Sequence, residues 1–204
     1  MLGNAHFFGK LGLAVDHARA ALWYRKAAAA GLAKAQYNLG VSYHRGEGVV
    51  QDAAEAARLY RLAADQGFPD AICNLGISYR DGSGVPQDHA AAFAHFRRAA
   101  ELGHLGAMSA LAICYQDGLG TAVDCAQAMR WARRAADLGH AGAMNTVGAL
   151  YGMGQGVPAD RAEAVRWFER AAAAGNDNAK SNLRAIAAAG FAPAAAALLR
   201  LTLE

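Results

Sequence analysis

The sequence predicts an all-α fold made of 36-residue helix-turn-helix repeats, and three recurrences predict it. A glycine returns at Gly31, Gly67, Gly103, Gly139 and Gly175, and an aspartate at Asp16, Asp52, Asp88, Asp124 and Asp160. A tyrosine returns at Tyr43, Tyr79, Tyr115 and Tyr151, with Phe7 in the tyrosine slot of an incomplete first unit. No residue is inserted or deleted between these marks. A fixed period of this length marks stacked repeats, each a unit that buries its faces only against its neighbours. The chain reads as one repeat domain, 1–204. A partial repeat covers 1–31, full repeats cover 32–67, 68–103, 104–139 and 140–175, and a degenerate last repeat with a C-terminal cap covers 176–204.

The first helix of the first full repeat is expected from about Lys34 to Arg45, because Ala35, Leu39 and Tyr43 fall four apart on one stripe. Gly40, Gly76 and Gly148 follow the leucine slot, with Ala112 standing in once. Glycine inside a helix costs about 1 kcal/mol relative to alanine. Its return at a fixed place therefore predicts a neighbouring helix too close for a Cβ. The turns Gly46-Glu47-Gly48, Gly82-Ser83-Gly84, Gly118-Leu119-Gly120 and Gly154-Gln155-Gly156 come next. They follow a helix and lack a third glycine, so they read as helix stops with positive φ rather than as phosphate loops.

The second helix of each repeat starts at the aspartate. Asp52 with Glu55, Asp124 with Gln127 and Asp160 with Glu163 match the reciprocal capping box, whereas Asp88 has Ala91 three residues on. Bulk sits in the pairs Trp23-Tyr24, Leu59-Tyr60, His95-Phe96, Trp131-Ala132 and Trp167-Phe168, and an Ala-Ala pair follows four residues later. Large against small at fixed spacing is how stacked helices interlock, so this aromatic row is expected in the core. Asp177 to Ala189 reads as another first helix, and Pro193 opens a terminal segment from Ala194 to Leu203. The expectation is nine or so helices and almost no strand.

Composition agrees. Of the 204 residues 54% are hydrophobic, and much of that share is alanine, which suits close-packed helices. The formal charge of +3 is spread over scattered arginines with no basic run to track phosphates, so no nucleic-acid partner is expected. Cys73, Cys114 and Cys125 are odd in number and outside any CxxC spacing, which argues against a disulfide framework and a structural zinc site. Their usage favours a reducing compartment and a cytoplasmic location. No apolar run approaches the ~20 residues that span a bilayer, so no membrane insertion is expected. Met1 falls inside a repeat, as it would in a piece of a longer protein.

The residues A-x-x-x-L-G-x-x-Y, G-x-G-V, D-x-x-x-A, an aromatic, A-A and G resemble the Sel-1-like repeat (SLR) signature, related to the tetratricopeptide repeats. In the second full repeat Ala71, Leu75, Gly76, Tyr79, Gly82, Gly84, Val85, Asp88, Phe96, Ala99, Ala100 and Gly103 occupy its slots. Thr121 for valine, Ala112 for glycine, His95 in the tryptophan slot and Met153 near the turn are its departures. The resemblance implies an α/α superhelical solenoid serving as a non-catalytic scaffold or adaptor for a protein or peptide partner. One cysteine-rich branch of that family has been linked to β-lactam binding and hydrolysis, which is the enzymatic alternative. Its repeats carry a disulfide whose matching positions here are Ala64/Ile72, Ala100/Met108 and Ala136/Met144, and none holds a cysteine.

His104 and His140 follow the repeat glycine in successive units, at least one helix-packing distance (roughly 8–10 Å) apart. That is too far for two imidazoles on one zinc, and both read as polar turn residues. With no G-x-S-x-G elbow either, no catalytic residue, cofactor or metal is nominated. If SLR geometry holds, the first helices line the concave side. The candidate partner-binding residues there are Tyr37, Asn38, Val41 and Arg45, then Cys73, Asn74, Ile77, Arg80 and Asp81, then Ser109 and Ile113, then Asn145 and Thr146. These slots vary along the chain while the packing slots do not. Val41, Ile77, Ile113 and Ala149 would form an apolar floor, Asn38, Asn74 and Thr146 would bond an extended backbone, and Cys73 would face the groove. At the N-terminal edge Leu11, Trp23 and Tyr24 belong to a unit with little first helix, so the edge is expected either to abut further repeats of a longer protein or to self-associate by pairing two chains.

Overall fold

The computed structural model describes residues 2–9 and 14–203. Twelve helices lie among them, more than the nine or so expected, and no strand does. They are α1 (Leu2–Phe8), α2 (His17–Ala29), α3 (Ala33–Arg45), α4 (Ala53–Asp65), α5 (Pro69–Asp81), α6 (His89–Glu101), α7 (Leu105–Asp117), α8 (Cys125–Asp137), α9 (Ala141–Met153), α10 (Arg161–Ala173), α11 (Asp177–Ala188) and α12 (Ala192–Leu203). The fold is the all-α repeat class expected; the short α1 and the terminal α12 add to the paired helices of the repeats and to α11, which was expected from Asp177 to Ala189. The chain divides into two compact units, Met1–Leu102 and Gly103–Glu204. In the first, α1 to α6 pack each on the next. In the second, α7 packs on α8 and α9, α8 on α9, α9 on α10, and α10, α11 and α12 on one another. Leu11 lies outside the described residues.

The aspartates cap as expected. Asp16, Asp52, Asp88, Asp124 and Asp160 each accept the backbone N–H three residues on, at 2.8 to 3.0 Å. The reciprocal half of the capping box does not form. Each aspartate N–H donates instead to the carbonyl of the tyrosine slot in the preceding helix: Asp52 to Tyr43 at 2.9 Å, Asp88 to Tyr79 at 2.8 Å, Asp160 to Tyr151 at 3.0 Å. With that amide taken, Glu55 turns to Arg58 at 2.7 Å and Glu163 to Arg166.

The same bond corrects the register of the first repeat. Asp16 donates to the carbonyl of His6, not Phe7, at 2.9 Å. His6 therefore holds the tyrosine slot, and the link to the aspartate is one residue longer than in later repeats. Phe7 packs instead against the cluster of Ala20, Ala21, Tyr24, Leu39 and Leu59.

Helix pairs lock where glycine was expected to admit a close neighbour. A Cβ on Gly40 would stand 2.8 Å from the Tyr60 ring, and one on Gly76 or Gly148 equally close to Phe96 or Phe168. Ala112 replaces the glycine only where Ala132 replaces the aromatic. The second member of each bulky pair is accordingly buried: Tyr24, Tyr60, Phe96, Ala132 and Phe168. The first member is not uniformly core, because Trp23 is 41% exposed and Trp131 half-buried. The second turn glycine has its own reason. A Cβ on Gly48, Gly84 or Gly156 would overlap the first-turn carbonyl of a preceding second helix, at His17, Ala53 or Cys125.

Candidate functional site

Within the first unit, α3 and α5 border a groove of 510 Å³. It draws Tyr37, Val41, His44 and Arg45 from α3, Tyr60 from α4, and Asn74, Ile77, Ser78 and Asp81 from α5, with Ser83 from the turn that follows. The alternation that builds it is helical. Tyr37, Val41 and Arg45 are four apart, as are Ile77 and Asp81, so each set shares one face.

Six of the residues nominated from sequence meet in this groove: Tyr37, Val41, Arg45, Asn74, Ile77 and Asp81. Asn38 and Arg80 lie beside it on the same helices. Asn38 donates its amide N–H to the Asn4 side chain at 3.1 Å, and Arg80 forks onto Asp81 at 2.7 and 3.0 Å. Cys73 does not face the groove as expected, being 5% exposed. In the second unit Ser109 and Thr146 are also buried, and Thr146 donates to the Gly142 carbonyl of its own helix at 3.2 Å. Ile113 is 40% exposed, and half-buried Asn145 accepts from Asn182 at 2.9 Å. Sequence reading misses Tyr60, Ser78 and Ser83 as groove residues. The slot of Tyr60 assigns it to the core, and no sequence signal sets the two serines apart.

The groove mixes polar and apolar side chains, with Tyr60 and Ser78 its most buried members. Burial raises the Tyr37 phenol above its usual range, and the Asp70 charge adds to this while a hydrogen bond with Asn74 opposes it. Burial pushes Tyr60 up to about 12. Both phenols thus stay protonated at neutral pH and can donate. The hydrogen bond from Arg80 holds the Asp81 carboxyl below its ordinary value. Arg45 stands 3.8 Å from Glu47. Burial, then Asp70, pushes the Cys73 thiol up to about 11, so it is neither accessible nor a thiolate. Half-buried Val41 and Ile77 give the apolar contact, and Asn74 and the phenols give directional bonds. Such a surface is equipped for recognition.

His104 and His140 prove to be helix N-caps, each accepting a backbone N–H through Nδ1 at 3.0 Å, from Ala107 and Ala143. Among the described residues no three His, Cys, Asp or Glu side chains are grouped so as to hold a metal ion. No helix among them is long and apolar enough to cross a membrane.

The Sel1 repeat family matches residues 1–32, 33–68, 69–104, 106–140 and 141–176. Among solved structures, a Sel1 repeat protein from Oxalobacter formigenes is similar at 33% identity and a TM-score of 0.83, covering 88% of this chain and 71% of that one. A protective antigen of uropathogenic Escherichia coli strains, displaying an SLR fold, is similar at 36% identity and a TM-score of 0.80. That match covers 88% of this chain, which spans only 38% of the E. coli protein. The immunity protein Pa5087 from Pseudomonas aeruginosa shares the fold at 23% identity and a TM-score of 0.57, over 88% of this chain and 68% of that one. No curated protein matches the chain.

Proposed function

The chain belongs to the Sel1 repeat family, and from that premise we propose that it is a non-catalytic scaffold whose α3–α5 groove holds an extended segment of a protein partner. Sel1 repeat proteins are generally protein-interaction scaffolds. The observation that carries the finer reading is the convergence of Tyr37, Val41, Asn74 and Ile77 on one groove. Their slots vary along the chain, Tyr37, Cys73, Ser109 and Asn145 in one and Asn38, Asn74, Ala110 and Thr146 in the next, whereas the neighbouring tyrosine slot holds Tyr43, Tyr79, Tyr115 and Tyr151. The partner's apolar side chains rest on Val41 and Ile77, and its backbone bonds to Asn74. In the second unit Ile113 and Asn145 offer the corresponding kind of contact.

A photo-crosslinking amino acid placed at Val41 and, separately, at exposed Leu62 on α4 tests this in the source cell. A discrete adduct from Val41 and none from Leu62 is the expected result. Adducts from Leu62 alone would move the partner surface to the second helices. Turnover of a chromogenic β-lactam by the purified chain would overturn the non-catalytic reading.

A further inference from the structure

The second helices of the repeats carry a recurring ion pair that α8 leaves half made. In α4, Glu55 accepts from both Nε and Nη2 of Arg58, at 2.7 Å each. In α10, Glu163 holds Arg166 across the same three-residue step. Where the base is missing, as at Leu22 in α2 and Ala94 in α6, the acid is missing too, with Arg19 and Ala91 standing in its slot. In α8 the base is kept as Arg130 and the acid is replaced by Gln127. Exposed Arg130 makes no hydrogen bond or ion pair among the described residues.

Gln127, Arg130, Trp131 and Arg134 fall at i, i+3, i+4 and i+7, and together they line a hollow of 100 Å³ on one face of α8. Trp131 is half-buried, with the exposed Arg134 guanidinium 5.4 Å from its ring centroid. Trp167, in the same slot of α10, is 2% exposed and has two guanidiniums over its ring, Arg133 at 4.8 Å and Arg170 at 4.0 Å. The third arginine of α8 is already engaged, since Arg133 pairs with Asp137 at 3.6 Å and donates to the Tyr151 hydroxyl at 3.5 Å. Arg130 and Arg134 are thus left with their charge turned outward beside an open aromatic edge. The hollow is well below the roughly 300–1,000 Å³ of small-molecule sites, so it seats a side chain rather than a ligand molecule. Which side chain is shown by α4 and α10, where a glutamate carboxylate takes the guanidinium fork in this slot.

We propose that this face of α8 binds an acidic segment of a protein partner, with a Glu-x-Glu pair supplying the carboxylate that Gln127 withholds. One glutamate is forked by Arg130, with its methylenes against Trp131 and the Gln127 amide beside its carboxylate. The second meets Arg134. Side chains four apart on a helix stand about 5–6 Å from each other, and alternate residues of an extended strand about 6.6 Å, so one short segment reaches both arginines. The site is distinct from the α3–α5 groove, and it stands or falls separately from that reading.

The probe is the synthetic peptide Ac-Ser-Glu-Ser-Glu-Ser-amide, titrated into the full chain and followed by proton–nitrogen NMR. A saturable shift is expected at the Trp131 indole N–H, with none at the Trp167 indole or at Ile77. Gln127→Glu restores the carboxylate that α4 and α10 have, so it should occupy Arg130 from within and weaken binding at least about tenfold. Arg130→Gln should do the same, and Arg184→Gln, an equal loss of charge at an exposed position of α11, should stay within about twofold. An acidic residue in the first turn suits a helix, so Gln127→Glu leaves the fold in place. Full-affinity binding by Gln127→Glu would overturn the proposal, as would equal binding of the peptide with glutamine in place of glutamate. So would the absence of a Trp131 shift at millimolar peptide, or shifts confined to the groove around Ile77. Tighter binding of oligothymidylate than of the peptide at Trp131 would also overturn it, by assigning the two arginines to a phosphate backbone.

Discussion

Gly76 lies directly under the ring of Phe96, so close that a Cβ there would stand 2.8 Å from the ring carbon Cε1. The ring is fully buried and has nowhere to retreat. Gly76→Ala is therefore expected to destabilise the protein by roughly 1–3 kcal/mol despite alanine's better helix propensity. Ala112→Gly, in the repeat where Ala132 removes the ring, should cost only about 1 kcal/mol. Urea unfolding of the two variants checks the pair. Stabilisation by Gly76→Ala would mean that propensity, not packing, governs this slot.

Two positive-φ glycines separate strain from collision. Gly67 has φ 79° and open space, with no atom within 4 Å of where a Cβ would sit, whereas Gly84 has φ 74° and its Cβ would overlap the Ala53 carbonyl. Gly67→Ala should cost about 1–2 kcal/mol, the strain of left-handed backbone alone. Gly84→Ala should cost clearly more, because the turn must also lift off the first turn of α4. Denaturant midpoints for the two substitutions test the difference.

His140 makes stability depend on pH. Its Nδ1 caps α9 only when unprotonated, and burial first, then the charge of His104, lowers its pKa. The unfolded state, titrating near 6.5, takes up the proton more readily than the folded one. Stability should thus be fully present above the unfolded value, fall as pH drops through about 6.5, and level off below the folded value. His140→Asn should keep the cap, since Asn176 caps Ala179 from the same slot at 2.9 Å, and should flatten that slope. Unfolding free energies at about pH 7.5 and about pH 5.5 for both proteins decide it. An unchanged slope in the variant would assign the dependence elsewhere.

The repeat, the aspartate caps and the glycine contacts were legible because each depends on a few neighbouring residues in a fixed period. What escaped depended on how segments fold back. The reciprocal capping bond lost its amide to the Tyr43 carbonyl, a competitor that only the closed turn supplies. Counting by a constant period puts Phe7 where His6 stands, because one extra residue in the first link is invisible without the Asp16 bond. Tyr37 and Cys73 show the limit at the groove. They share a slot, yet the tyrosine reaches the surface and the shorter cysteine is covered. Slot equivalence gives the direction of a side chain, and its length decides whether it arrives.

Groove contacts should be unequal. Tyr37→Ala removes a half-buried ring and a donor from the groove wall and is expected to weaken partner binding by about 1–2 kcal/mol. Arg80→Ala, whose guanidinium is held by Asp81, should act mainly through Asp81 and cost less. Titration calorimetry with the crosslinked partner segment measures both. A larger loss from Arg80→Ala would shift the contact toward the rim.

The most direct test of the groove itself is the affinity of that partner segment for Ile77→Asp against Arg97→Glu, a substitution on the exposed face of α6. With helical circular dichroism unchanged in both, Ile77→Asp should lose at least about tenfold in affinity and Arg97→Glu stay within about twofold. Undiminished binding by Ile77→Asp, with loss in Arg97→Glu, would contradict the account and place the partner on the second helices.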